Sequence, residues 1–181
     1  MAVLFATPAA ACGSAMLLAL MFTAFPEAEG VLWAEKADAD AGLLQGDQWT
    51  PQTGLETGLA IHEWRTEKTA VTVNAIETRL GDLPVQPHLE NSAHILLIHE
   101  FRWLEVTSQS DGARANLRGL SSEGDGPRFF TTRYVLDNLL AGTLTWDDAI
   151  GRGLIRSPAP LEEQSPWLAV LHNALATPHK S

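Results

Sequence analysis

Val135, Leu136, Leu139 and Leu140 recur at three- and four-residue spacing, which places them along one face of a helix. Thr131 or Thr132 supplies a hydroxyl to cap its start near Arg133, and Gly142 follows where a left-handed residue ends such helices. Thr145 stands three residues before Asp148, so a second, short helix opens with a capping hydroxyl and a carboxylate in its first turn. Gly151 and Gly153 stop it, Leu154 and Ile155 offer a short apolar return, and Arg156-Ser157-Pro158-Ala159-Pro160 breaks regular structure. Ser165 and Pro166 then open a last helix with Trp167, Leu168, Val170, Leu171, Ala174 and Leu175 as its stripe. Three apolar helical faces this close together require a common surface to cover.

The stretch from His94 to Thr107 supplies it. Ile95, Leu97, His99, Phe101 and Trp103 fall on one face of an extended strand, with Glu100 and Arg102 on the other. Asp111-Gly112 is a hairpin signal, after which Arg114 to Leu120 returns antiparallel. Glu123-Gly124-Asp125-Gly126-Pro127 turns again into a strand over Arg128 to Thr132. The expected fold class is α+β, an antiparallel sheet covered on one face by C-terminal helices. Upstream, Leu59 to Trp64 and Ala70 to Ile76 favour short strands. A helix over Thr66 to Leu80, with Val71, Ala75 and Thr78 on one side, is an equal alternative. Leu83-Pro84-Val85-Gln86-Pro87 is extended and irregular.

The order "strand, Thr-Thr-Arg helix, Leu-Leu-Ala-Gly-Thr-Leu-Thr-Trp, Asp-Asp-Ala-Ile, Gly-Arg-Gly-Leu-Ile, terminal amphipathic helix" resembles the C-terminal half of sterol-carrier-protein-like domains. These include the versions fused to alkyl sulfatases and other metallo-β-lactamase-fold hydrolases. The resemblance covers about Arg128 to Ala176. In that family a helix with paired leucines leads to a Gly-x-Leu turn, a short helix with a central Ala, and a Gly before a final strand. Here Arg156-Ser157-Pro158 stands where the family usually has a polar Gly-Asp turn. The resemblance implies non-catalytic binding of a lipid or other apolar small molecule between sheet and helices, without a cofactor. Leu136, Leu139, Leu140, Trp146, Ile150, Leu168 and Leu171 are the expected contacts. For any single one of those seven residues a place in a close-packed core is the better reading, and fused versions of such domains act as packing or homodimerisation modules.

The rest of the chain adds an organisation in three parts. Residues 1–28 form an apolar leader with no charged side chain before Glu27, read as signal, anchor or buried helix, with membrane contact open through 9–25. No Lys or Arg precedes Lys36, so the basic start of an export signal is missing, and an exported or anchored location stands level with a cytoplasmic one. Ala, Gly, Asp, Glu and Gln dominate 29–57, which reads as a linker or irregular segment, and 58–181 carries the α+β domain. An accessory protein that binds a protein partner is the reading in which the leader decides location. A net charge of −10, with basic residues scattered singly, argues against nucleic acid. Cys12 is the single cysteine, so neither an internal disulfide nor a thiolate metal cluster can form within one chain.

Candidate chemistry is sparse. His62-Glu63 and His99-Glu100 each set a base beside an acid, with His88 and His94 nearby. Neighbours on a strand point to opposite faces, which separates each dyad, and no pair has the helical His-x-x-x-His spacing of zinc enzymes. Gly119-Leu120-Ser121 lacks the second glycine of a nucleophile elbow, and Asp147-Asp148 is explained by its place at a helix start. No catalytic residue, metal ligand or cofactor site is assigned from the sequence.

Overall fold

A computed structural model of the protein describes residues 18–45, 57–83, 89, 92–109, 112–121, 124–161 and 165–176, with backbone alone at 57–64 and 165. Helix α1 is described over residues 18–24, followed by α2 (Pro26–Asp40) and α3 (Thr57–Gly81). Then come β1 (Ser92–Leu97), the 3-10 turn η1 (Ile98–Glu100), β2 (Arg102–Gln109), β3 (Gly112–Gly119) and β4 (Arg128–Thr131). Helices α4 (Arg133–Ala141), α5 (Trp146–Gly151) and α6 (Ser165–Ala176) close the chain. The class is α+β, a mostly antiparallel four-stranded sheet with C-terminal helices, as the apolar pattern leads one to expect.

Local signals place the C-terminal elements. Thr132 Oγ1 accepts from the Val135 amide at 3.3 Å, and Gly142 ends α4 at φ 72°, where a side chain would be strained. Thr145 Oγ1 accepts from the Asp148 amide at 3.1 Å and starts α5. The short apolar return after Gly153 pairs with the sheet, since Phe130 and Arg156 exchange backbone hydrogen bonds of 2.8 and 3.1 Å.

The single strand expected over His94 to Thr107 is two strands. Phe101 takes a left-handed conformation, φ 52°, and turns the chain back on itself through η1. The alternation therefore breaks there. Ile95 and Leu97 lie on one sheet face with Leu104, whereas Trp103 pairs with Leu96 and falls on the other. The expected antiparallel order is also corrected: β4 runs parallel to β1, giving β3-β2-β1-β4. A parallel neighbour needs a crossover. Before β4, Gly126 (φ 143°) fits only as glycine, because a Cβ there would sit 2.0 Å from the Ser92 carbonyl.

Both faces of the sheet are covered. Ala93, Ile95, Leu97, Leu104, Val106 and Phe129 pack under α3, α4, α5 and α6 in the larger core cluster. Leu96, Ile98, Trp103 and Phe130 pack under α1 and α2, against Met21, Ala28 and Val31. The irregular segment expected from 29 is thus helical as far as Asp40. Its Ala and Glu residues are strong helix formers, Pro26 suits the first turn, and Lys36 pairs with Asp40 one turn on at 2.7 Å. Beyond α2, Asn138 binds the backbone of Gln45 in both directions at 2.7 Å, which ties this stretch to α4. No helix among the described residues is long and apolar enough to cross a membrane.

The strand alternative for Ala70 to Ile76 also gives way to helix. Threonine is tolerated in α3 because Thr69 and Thr78 donate back to the Arg65 and Asn74 carbonyls at 2.6 and 2.8 Å. Its buried side is Thr69, Thr72, Val73, Ile76 and Leu80, whereas Val71 is exposed.

Candidate functional site

The turn that breaks the predicted strand gathers charge from four elements. Glu35 of α2, Arg65 of α3, His99 and Glu100 of η1, and Arg133 with Asp137 of α4 meet around it. His99 Nε2 lies 3.1 and 3.3 Å from the two Glu35 carboxylate oxygens, and Arg65 Nη1 donates to the His99 carbonyl at 3.4 Å. Arg133 Nε stands 3.6 Å from Glu100 Oε1, with side-chain exposures of only 10 and 7%. Arg133 also pairs with Asp137, and Thr72 donates to Asp137 at 2.6 Å. Buried charges persist only when compensated, so α2, α3, η1 and α4 are fixed to one another here.

Burial, the largest influence on Glu100, holds its carboxyl above the ordinary carboxylate value, against the opposing pull of His99 and Arg133. Glu100 Oε2 has no hydrogen-bond partner among the described residues. For His99, burial is again the largest influence and disfavours the cation. The hydrogen bond and charge of Glu35, with the charge of Glu100, outweigh it and raise the imidazole above 6.5. Both groups are thus shifted toward their protonated forms in the folded chain. His99 contributes stability that is complete below pH 6.5 and disappears as pH rises through its raised value; Glu100 acts in the same sense from 4.5 upward. The thermal midpoint is expected to fall with rising pH across these windows. Glu35→Gln should flatten the part above 6.5, and an unchanged slope in that variant would remove Glu35 as the cause.

Beside this cluster a cleft of about 230 Å³ opens between α3, η1 and the adjoining strands. Its walls are Arg65, Thr66, Thr69, His99, Glu100, Phe101, Arg102 and Leu117. Arg102 is exposed, and among the described residues neither its side chain nor that of Arg65 is paired with a carboxylate. Guanidinium groups thus share a wall with the apolar Phe101 and Leu117. A second, shallower groove of about 680 Å³ runs between the start of α2, the end of α5 and the 156–161 segment.

The seven residues expected to contact an apolar ligand come together. Leu136, Leu139, Trp146 and Leu171 are buried members of the larger core cluster, and Leu140, Ile150 and Leu168 pack half-buried against it. Ile150 also lines the shallow groove. The histidines do not gather in this way. His94 is buried in β1, edge-on to Trp103 with 6.3 Å between ring centres. Its ring nitrogens have no partner among the described residues, and Gly124 packs against them with no room for a side chain. His99 stands at the cluster, and His88 and the side chain of His62 lie outside the described residues. Strand geometry does not separate His99 from Glu100 as expected, because both sit in a 3-10 turn and line one cleft. Among the described residues no three His, Cys, Asp or Glu side chains converge as metal ligands.

Sequence reasoning passed over Glu35, Arg65, Arg102 and Arg133. One signal was available for Arg133: a cation in the first turn of a helix opposes the helix dipole, which implies a dedicated counter-charge elsewhere. The other three are ordinary surface residues until the fold assembles them. Comparison with family models, with curated proteins and with solved structures returns no match for this chain.

Proposed function

We propose that this protein is a non-catalytic binding module that holds a lipid or other apolar small molecule between its sheet and C-terminal helices. The observation that carries the reading is the convergence of all seven expected contact residues in one cluster under α4, α5 and α6. Leu140, Ile150 and Leu168, one from each helix, stand at its half-buried margin and are the natural place of entry. The element order after β4 supports the sterol-carrier resemblance: a paired-leucine helix, a Gly turn, a short helix with central Ala149, and Gly153 before an isolated bridge from Arg156 to the sheet. Binding would draw on removal of ligand surface from water, about 25 cal/mol per Å² before the losses of association. Displacement of a fluorescent acyl probe by fatty acid or sterol tests the reading. Saturable displacement is expected, and none with an intact fold would count decisively against it.

A second reading, as a dimerisation module, draws on Leu20 and Trp33, which are 57 and 65% exposed on α1 and α2. Concentration-dependent dimer mass in sedimentation equilibrium, with loss on Trp33→Ser, would favour it.

A further inference from the structure

We infer that the cleft beside η1 is a separate binding site for a small carboxylate with a compact apolar body, held by Arg65 and Arg102 against Phe101 and Leu117. Three observations point the same way. The cleft is a formed concavity of about 230 Å³, below the range of about 300–1,000 Å³ usual for drug-sized ligands, so it takes a fragment and not a sterol. Two guanidinium groups line it without carboxylate partners among the described residues, in a chain of net charge −10 where acids outnumber bases. Both guanidiniums offer paired donors matched to a carboxylate.

The carboxylates already present do not fill this role. Glu100, which also lines the cleft, is paired with Arg133 at 3.6 Å and held toward its protonated form by burial, and Glu35 is engaged by His99. Arg65, Arg102 and the Glu35-supported His99 ring line the cleft together. Long-range repulsion from the acidic surface is screened beyond about 8 Å at physiological salt, so the local groups decide the sign of the bound charge. Phe101 and Leu117 disfavour a bare inorganic anion and favour a ligand with one apolar end. The seven residues assigned to the apolar cluster do not line this cleft, so the two sites can be tested separately.

The experiment is a titration of the full chain with benzoate, benzamide and inorganic phosphate, read as amide shifts by NMR. Benzoate should give saturable shifts centred on Thr69, Phe101, Arg102 and Leu117, with benzamide and phosphate much weaker. Arg65→Gln should weaken benzoate about tenfold or more, the loss of one charge-assisted contact. Arg102→Gln, at the exposed rim, should weaken it roughly two- to threefold and leaves folding untouched if Arg65→Gln does not. Equal binding of benzamide, preference for phosphate, shifts centred elsewhere, or full affinity in both variants overturns the inference. Any of these leaves the probe-displacement result standing on its own.

Discussion

Arg133→Met is expected to destabilise the fold by about 3–5 kcal/mol, the usual cost of removing one partner of a buried ion pair. The reason is local: Glu100 is 7% exposed and would keep its carboxylate beneath α4 without the opposing guanidinium. Asp137, paired with the same arginine, would lose that cation and keep the Thr72 hydroxyl. For a domain of this size the shift in thermal midpoint is about 10 °C or more. The loss also has a pH signature. Without Arg133 the Glu100 carboxyl rises further, so the penalty is felt above 4.5, the ordinary carboxyl value, and relaxes as the medium is acidified toward it. Changing both residues, Glu100→Leu with Arg133→Met, should recover most of the stability, since a buried pair exchanged for apolar residues is often neutral. A double variant as unstable as the single one would mean that the pair is not coupled.

Trp103→Ala carries the second large effect, about 3–5 kcal/mol, with an uneven distribution over the molecule. Trp103 is fully buried, donates from Nε1 to the Leu120 carbonyl at 3.1 Å, and meets Phe25 edge-on with ring centres 5.5 Å apart. Phe130 closes the group, with ring centres 6.2 Å from Trp103. These rings belong to the smaller cluster, the one that holds α1 and α2 on the sheet. The larger cluster beneath α3, α4, α5 and α6 does not include Trp103. Hydrogen exchange should therefore show α2 amides losing protection first, with α4 and α6 nearly unchanged. Uniform loss of protection would show that the two layers unfold as one unit and would contradict this division.

The sequence is most legible where local chemistry decides the structure. Thr132, Gly142, Thr145 and Asp148 act within their own turns, so α4 and α5 can be read directly from residue spacing. The turn at Phe101 is hidden for the opposite reason. Left-handed backbone is usually announced by Gly or Asn, and here it falls on an aromatic residue. The same holds for α2. Its inward side is narrow, with Ala28 and Val31 as its buried residues, so the segment shows no strong apolar stripe although its residues favour helix.

The partnership of β1 with β4 is non-local, and no local motif distinguishes parallel from antiparallel return. The charged cleft was illegible on the same ground. Glu35, Arg65, His99 and Arg133 come from four separate elements, and their meeting depends on a turn that the alternating pattern runs straight through. Leu136, Leu139, Leu140, Leu168 and Leu171, by contrast, lie on neighbouring C-terminal helices whose apolar faces periodicity marks.

Native mass spectrometry of the purified chain addresses the binding role most directly. A carrier-type interior predicts a population heavier than the polypeptide by one small molecule, released on denaturation and exchangeable for an added fatty acid. A bare polypeptide mass that stays unchanged in excess fatty acid, with the fold intact, would contradict it.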